Sequence, residues 1–335
     1  MKLEIRPLTA DEFAAWNEAV LSCPAATLFH TTTWLAAGGK SFTIYGAFDG
    51  TELVGGFVAE YEVLKNGIRI SARSRLTPYS GQAVFLSPSK RSSAITARKA
   101  VAKLAAERLK DDLRRVNVRL SPYTPDVQPY LWAGYTAAVR YTYLVDVSCA
   151  ETVWANLDEN HRRSIRQAEK VGLSIDDGVS AKDCVELFRA SRESPEWWED
   201  LLGPYTLALS HSGMCRTFGI RDSDGALASA IFLVCDRYRS YYMLGGYRQE
   251  GDRIARTATT FGLWEAMRYT REELGLKVFD LEGSMIPGVE LFFRKFGGDL
   301  TPFYTISWGR APSTARGMLR RAVGLAARFS GVKSG

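Results

Sequence analysis

Two carboxylates and two cations near the carboxyl-terminal end are the side chains best placed to do chemistry. Residues 277–282 alternate in polarity, so a strand here would present Asp280 and Glu282 on one face. Farther along, Arg294 and Lys295 stand among three phenylalanines in what we predict to be a basic aromatic loop. A carboxylate can take a proton from a nucleophile, and cations can hold a phosphate or a carboxylate. We predict a working site here; ion pairs and a solvated loop are the structural alternatives.

The elements around these residues must hold them in place. Apolar residues recur at helical spacing over residues 254–274, and Gly275 is typical of a helix end. A short strand at 277–282 is followed by a turn at 283–288, which is rich in Gly and Pro. Residues 303–306 resume as strand. The pattern predicts helix, strand, turn, loop and strand in that order.

Four aromatic residues are further candidates for the site. Tyr304, in the last predicted strand, could donate a proton to a leaving group, and Tyr242 could do the same or contact the substrate. Tyr79 and Trp34 are candidates for lining a cleft between the two halves of the chain. Aromatic residues in strands are more often packing residues, and that alternative stays open for all four.

Composition limits the class of protein. A chain of 335 residues with 46% apolar and 24% charged residues is typical of a globular protein of two domains. Five scattered cysteines without a CxxC pair and three histidines without metal spacing predict neither a disulfide framework nor a metal site. The first residues lack the apolar core of a signal peptide, and no apolar run approaches the roughly 20 residues of a membrane helix. We therefore expect a cytoplasmic protein.

The net charge of +6 is unevenly distributed. Residues 1–148 hold 18 basic and 13 acidic residues, whereas residues 149–308 hold 19 basic and 24 acidic ones. The basic first half favours an anionic ligand such as a nucleotide, coenzyme A or RNA, or else is a plain solvated surface. The tail, residues 309–335, has six basic and no acidic residues, and its pattern predicts a basic amphipathic helix. Such a helix could contact the inner face of a membrane. The alternatives are a helix that packs back on the first module and a frayed end.

The chain carries one pattern of elements twice. Three pairs of segments correspond in order and spacing: 45–49 with 218–222, 94–113 with 255–274, and 118–120 with 279–281. An Asp-Gly turn follows the first segment in each half. We predict two copies of one α/β module, at residues 1–148 and 149–308, followed by the basic tail.

Each half, with a helix, three antiparallel strands, a helix and a further strand, is similar to the GNAT acyltransferase fold. Several segments resemble the Fem family of tandem-GNAT transferases more specifically. Residues 162–172 resemble its R-x-x-I-R-x-A-x-x-x-G helix, residues 264–283 its last helix and strand, and residues 288–298 its closing G-x-x-x-F-K-x-x-F-G segment. The resemblance covers most of residues 1–308 and implies an α/β (α+β) fold of two tandem modules, each a mixed, mostly antiparallel sheet flanked by helices.

The resemblance implies transfer of an acyl group from an acyl thioester to an amine of a sugar, a cell-envelope precursor or a small molecule. Acyl-CoA would be a co-substrate, with no tightly bound cofactor, and the acceptor would be sugar-nucleotide or lipid-linked, as in envelope or polysaccharide synthesis. One alternative is an aminoacyl-tRNA donor, as in peptidoglycan-bridge enzymes. That alternative is weakened by Phe293, which stands where the family usually has Lys; Lys295 is the candidate replacement. A second alternative is a non-catalytic protein that binds an anionic ligand or a membrane surface.

The family fold also implies where the donor would bind. Residues 245–253 occupy the strand-to-helix position of the GNAT pyrophosphate loop, and Arg248 and Gly251 match its pattern. Arg253 stands where a small residue is usual, so a simple polar loop is the alternative. A backbone N–H beside the fourth strand would stabilise the charge that develops on the carbonyl oxygen.

Overall fold

The computed structural model describes residues 3–86, 90–191, 202–209, 212–248, 252–283 and 285–309. Its helices are α1 (Phe13–Leu21), α2 (Thr32–Ala37), α3 (Arg91–Asp112), α4 (Gln128–Trp132), α5 (Ala150–Asn156), α6 (Glu159–Lys170), α7 (Ala181–Ala190), α8 (Gly203–Leu209), α9 (Asp252–Glu272) and α10 (Pro287–Arg294). Its strands are β1 (Leu3–Pro7), β2 (Ser41–Asp49), β3 (Glu52–Val63), β4 (Arg69–Ser71), β5 (Gly81–Val84), β6 (Val116–Arg119), β7 (Thr136–Asp146), β8 (Ser174–Asp176), β9 (Cys215–Arg221), β10 (Leu227–Cys235), β11 (Arg239–Tyr247), β12 (Val278–Asp280) and β13 (Asp299–Trp308). The basic tail lies outside the described residues.

The strands form two sheets flanked by helices. The smaller sheet has the order β1-β2-β3-β4, with β5 also paired to β3, and the larger has the order β6-β13-β7-β12-β11-β10-β9-β8. Strand pairs within both sheets are antiparallel except β11 with β12, which is parallel. The expected mixed, mostly antiparallel α/β fold is therefore confirmed.

The duplicated order of elements is also confirmed. Apart from the short additional strand β4, the first half runs β2-β3-β5-α3-β6-α4-β7 from its second strand onward, and the second half runs β9-β10-β11-α9-β12-α10-β13 from β9 onward. The short helices α4 and α10 are each followed by a glycine in the left-handed region, Gly134 at φ 81° and Gly297 at φ 74°. This backbone conformation suits glycine at a helix end, so the two copies change direction by the same device.

The last strand of each copy pairs with a strand of the other copy. From the first half, β7 lies beside β12, and from the second half, β13 lies beside β6. The two exchanged strands also pair with each other along most of their length. The larger sheet thus contains two strands that precede residue 148. The boundary predicted there separates two copies of a motif but cuts through one sheet.

The predicted basic aromatic loop is in fact helix α10, so that prediction is wrong. Pro287 occupies the first turn, where its missing N–H is not needed. Val289, Phe292 and Phe293 then recur at helical spacing and face the core. The Gly and Pro content of the preceding turn concealed this spacing.

Within the described residues, no helix combines the length and apolar character needed to cross a membrane.

Candidate functional site

A gap opens where strands β11 and β12 separate. The two strands pair only from Arg239 with Val278 to Tyr241 with Asp280. Beyond Tyr241, this edge of β11 has no partner strand in the part of the chain that the structure describes. A cavity of about 300 Å³ lies here, walled on one side by residues 242–245 and on another by residues 281–283. Its size suits a small molecule.

A bulge distorts β11 beside the cavity. Along β10, Phe232 faces Leu244 and Leu233 faces Tyr242, so Met243 has no residue opposite it. A bulge turns local backbone groups out of the regular ladder and is common next to binding sites. Strands β11 and β12 separate here, and β11 carries the bulge. Backbone N–H groups at this point can therefore donate hydrogen bonds to a ligand.

Asp280 ends strand β12 and redirects the chain. Its fully buried carboxylate accepts hydrogen bonds from the hydroxyls of Thr142 at 2.5 Å and Tyr79 at 3.0 Å. It also accepts the backbone N–H of Glu282 at 2.8 Å. Glu282 takes a φ of 54°, which is uncommon for a residue other than glycine. The local turn therefore carries Glu282 out of the strand and onto the cavity wall.

The prediction that Asp280 and Glu282 share one strand face is therefore wrong. Strand alternation ends at Asp280, where β12 ends, so it cannot be extended two residues farther. Asp280 is a buried residue that holds the turn, and it does not line the cavity. Burial raises the pKa of Asp280 to about 6, although its hydrogen bonds oppose that rise.

Glu282 is half-buried in the wall, and its environment makes its carboxyl group a strong base. Its Oε1 atom is shielded from solvent and has no hydrogen-bond partner among the described residues. Burial, and then the charge of Asp280, raise the pKa of Glu282 well above its usual value, whereas Arg73 and Arg119 act to lower it. An unpartnered buried oxygen of this kind is expensive unless a ligand or water satisfies it.

Sequence analysis missed the arginines of this site. The side chains of Arg73, Arg75, Arg119 and Arg140 all line the cavity. Burial lowers the pKa of Arg119 to about 9, and the charges of Arg73 and Arg140 lower it further. The one available signal was the excess of basic residues in the first half, which predicted an anionic ligand without indicating these positions.

Tyr242 is the predicted aromatic residue that does lie at the cavity. Its ring packs edge-on against Phe293, with centroids 5.8 Å apart. A Cβ atom on Gly245 would stand 2.0 Å from the Tyr242 hydroxyl oxygen, so a larger residue there would displace the Tyr242 side chain. The position of Tyr242 fits a role at the site, and the role itself stays a prediction.

Three other predicted aromatic residues are placed elsewhere. Tyr79 and Trp34 are fully buried between the two halves and line no open cleft. The indole N–H of Trp34 donates to the Thr77 hydroxyl at 2.9 Å, and the Tyr79 hydroxyl donates to Asp280. Tyr304 follows Phe303, which lines the cavity, so strand alternation turns Tyr304 to the opposite face of β13.

The predicted cations also lie outside the cavity. Arg294 is exposed at the end of α10, with its Nε atom 3.5 Å from a Glu290 carboxylate oxygen. Lys295 ends that helix, and its backbone carbonyl accepts the N–H of Asp158. Arg294 and Lys295 were predicted at the site because their segment was expected to form a loop. The segment is instead the end of helix α10, and neither residue lines the cavity.

The predicted donor loop is only partly described. Arg248 forms an ion pair with Asp222 at 2.8 Å, so its guanidinium group is held at the turn between β9 and β10. This contact contradicts a free phosphate-binding role for Arg248. Gly251 lies outside the described residues.

The first copy has a corresponding cavity of about 430 Å³ beside β5, lined in part by residues 122–126. Some of its polar groups are paired within the protein: Lys99 pairs with Asp126 at 2.7 Å, and the Gln82 side chain accepts a hydrogen bond from Tyr130 at 3.0 Å. The buried Tyr123 hydroxyl has no partner among the described residues. By the alignment of the two copies, Ser121 stands where the second copy has Glu282. The candidate base therefore belongs to the second copy alone. Over the described chain, no cluster of His, Cys, Asp or Glu could hold a metal ion.

Comparison with known proteins agrees with this geometry. Residues 155–291 match the family described as an acetyltransferase (GNAT) domain. FemX is similar in structure, with a TM-score of 0.66 and 14% identity over 90% of this chain and 96% of that one. A tandem GNAT protein from the clavulanic acid biosynthesis pathway has a TM-score of 0.54 and 12% identity, over 93% of this chain and 100% of that one.

A third similar structure is the C-terminal domain of a putative lysylphosphatidylglycerol synthetase from Agrobacterium fabrum. Its TM-score is 0.55 and its identity 14%, over 94% of this chain and 97% of that one. No curated protein matches the chain. At these identities the structural likeness concerns the fold, and the matched domain contains β11, α9, β12 and Glu282. Residues 155–291 therefore form a GNAT acetyltransferase domain, and the fold of the chain is similar to that of tandem, Fem-like GNAT proteins.

Proposed function

We propose that this protein transfers an acyl group from an acyl-CoA thioester to the amine of a small acceptor in the cavity between β11 and β12. The observation that carries the proposal is Glu282, whose carboxylate has an unpartnered, shielded oxygen beside the open edge of β11. A base there, next to a free strand edge, is what amine acylation needs.

The chemistry follows from the groups at the cavity. Glu282 takes a proton from the acceptor amine, whose nitrogen attacks the thioester carbonyl carbon. The C–N bond forms, the C–S bond breaks, and the departing thiolate gains a proton, for which Tyr242 at the cavity is the predicted donor. Backbone N–H groups around the Met243 bulge would stabilise the developing oxyanion. A raised pKa suits Glu282 to this role, because proton transfer is most efficient when the base has a pKa near the working pH.

The open edge of β11 is the proposed donor site. An extended ligand arm that contains amide groups, such as the pantetheine arm of coenzyme A, can bond to a free strand edge as an added strand does. The apolar side chains of Leu76, Phe188 and Leu281 line the same cavity and suit an acyl chain.

The similar structures also bear on the setting of the reaction. A putative lysylphosphatidylglycerol synthetase among the similar structures supports an acceptor from cell-envelope synthesis, including a lipid-linked or sugar-nucleotide amine. We propose that the enzyme works in the cytoplasm, and that the basic tail brings it to the inner membrane face.

The test uses the full chain with acetyl-CoA, longer acyl-CoAs and a panel of amines. We expect coenzyme A to raise the melting temperature, because a ligand that binds the native state stabilises it. Thiol release should depend on an amine, and Glu282→Gln should reduce it by about 10²- to 10⁴-fold while keeping the melting shift.

Two results would overturn the proposal. No melting shift with coenzyme A and no transfer from any thioester would favour a non-catalytic binding protein. Transfer that occurs only from aminoacyl-tRNA, and is abolished by ribonuclease, would assign the donor to RNA.

A further inference from the structure

Among the described residues, every arginine that lines the cavity comes from the first copy of the module. Arg73 follows β4, Arg119 is the last residue of β6, and Arg140 lies within β7. The base and the open strand edge belong to the second copy. One cavity therefore combines a cationic wall from one copy with a candidate catalytic wall from the other.

The positive charge of this wall is only partly balanced by the described residues: Glu60 and Glu282 act on Arg73, and Glu282 acts on Arg119. Arg119 and Arg140 make no hydrogen bond or ion pair through their side chains with any described residue. Arg73 donates to the backbone carbonyl of Thr77 at 2.7 Å, which leaves its charge uncompensated at that contact. Glu282 is the one acidic residue among those lining the cavity, and its Oε1 atom has no partner.

Unpaired guanidinium groups in a partly buried wall are costly to keep. Burial lowers the pKa of Arg73 and of Arg140, and repulsion from those two groups adds to the effect of burial on Arg119. An anion bound among them would remove that cost. The planar guanidinium group is suited to carboxylate and phosphate oxygens, which it can bind in pairs.

We propose that Arg119 and Arg140, assisted by Arg73, bind an anionic group on the acceptor, so that the substrate is an amine that also carries a carboxylate or a phosphate. The proposal rests on the proposed function and names the acceptor class for the same cavity. The arginines line the same cavity from other elements than β11, whose free edge would hold the donor. Their neighbour Glu282 would then meet the amine once the anionic group is seated.

The anionic group would also act on the base. Arg73 and Arg119 hold the pKa of Glu282 down. An acceptor that neutralises these cations removes that influence, so the base becomes stronger when the correct acceptor is bound. A neutral amine would lack both the anchoring contact and this effect.

The experiment compares amines in matched pairs that differ only in the anion. Alanine against alaninamide tests a carboxylate, and glucosamine 6-phosphate against glucosamine tests a phosphate. Melting shifts measure binding without turnover, and the kcat/KM of acyl transfer is measured alongside. The variants are Arg119→Gln, Arg140→Gln and Arg119→Lys, with Arg268→Gln as the control on the exposed face of α9.

We expect the anionic member of at least one pair to bind and react better. Arg119→Gln and Arg140→Gln should lower its kcat/KM by about 10- to 100-fold, the usual size of a charge-assisted contact, and change that of the neutral partner by less than about twofold. Arg119→Lys should recover part of the loss, and Arg268→Gln should match the wild type. All variants should keep the melting shift with coenzyme A.

Three outcomes would overturn the inference. Equal melting-temperature shifts and equal transfer rates for both members of each pair in the wild type would show that the protein does not recognise the anionic group. Selectivity retained in both glutamine variants would place the anion elsewhere. Loss of the coenzyme A shift in those variants would assign the arginines to the donor. If coenzyme A never binds but the anionic amines still give an arginine-dependent shift, the proposed acyl donor fails while the anion site stands.

Discussion

Glu282 owes its position to the residue two places before it. Sequence alternation correctly identified Asp280 and Glu282 as the acids to watch, but it could not show that β12 ends between them. The reason is a side-chain contact: the Asp280 carboxylate accepts a hydrogen bond from the backbone N–H of Glu282, and the chain turns there. The arginines were missed for a related reason, since they are scattered between positions 73 and 140 and converge only through the fold.

The pH dependence of transfer should report on Glu282. Only the ionised carboxylate accepts a proton, so kcat/KM should rise with pH through a pKa well above the usual 4.5 of glutamate. Glu282→Gln should abolish this acidic limb. Glu290→Gln, which alters an acid on α10 outside the cavity, should retain it. A limb that persists in Glu282→Gln would assign the base to another group.

Asp280 should make the protein less stable as pH rises. Its folded-state pKa of about 6 lies above the ordinary 3.8, so the folded protein holds the proton more tightly than the unfolded chain. Its contribution is therefore present below pH 4 and is lost as pH rises towards 6, by about 3 kcal/mol. Urea unfolding of wild type and Asp280→Asn at pH 4 and 7 checks this. A wild type that loses no stability relative to Asp280→Asn between pH 4 and pH 7 would contradict it.

At the scale of elements, the sequence pattern predicted those helices and strands that have a clear periodicity or a distinctive turn. The long apolar stripe gave α9, and the Asp-Gly turns gave the hairpin that joins β2 and β3. Helix α10 was missed because Pro and Gly at its start are turn residues as well as helix-start residues. The positions of Arg294 and Lys295 were wrong for the same reason, because a residue's direction depends on the type of element that carries it.

Helix α7 packs so closely on β11 that Gly246 has no room for a side chain. A Cβ atom there would lie 2.1 Å from the backbone nitrogen of Phe188, a residue that also lines the cavity. Gly246→Ala should therefore displace α7, destabilise the protein by about 1–3 kcal/mol in urea unfolding, and weaken coenzyme A binding.

Gly288→Ala is the matched control for this change. Nothing lies within 4 Å of its added Cβ, and it stands in α10, so its unfolding free energy should stay within about 1 kcal/mol of wild type. Equal effects of the two substitutions would show that the contact between α7 and β11 does not limit stability.

At the scale of the whole molecule, the duplication was visible in sequence and the exchange of strands was not. Matching the two copies requires only order and spacing, which residues 45–49 and 218–222 retain. Which copy a strand joins depends on long-range pairing, here Thr305 with Arg119 and Asp280 with Leu144. No local pattern encodes that choice.

Cutting the chain at residue 148 should give two fragments that do not fold alone. Residues 149–335 would leave β12 without β7, and residues 1–148 would leave β6 without β13. Each fragment should lack a cooperative thermal transition, whereas co-expression should recover one complex that binds coenzyme A. A fragment 149–335 that unfolds cooperatively by itself, near the melting temperature of the intact protein, would show that the exchange is dispensable.

The exchanged strands have a consequence for the history of the chain. Once each half relies on the other to complete its sheet, a gene that loses either half encodes no stable remnant, so the duplication cannot be undone by simple deletion. The residues of the two cavities can then diverge, while the two halves still share one sheet. Ser121 in the first half and Glu282 in the second stand at matching positions and are an example of such divergence.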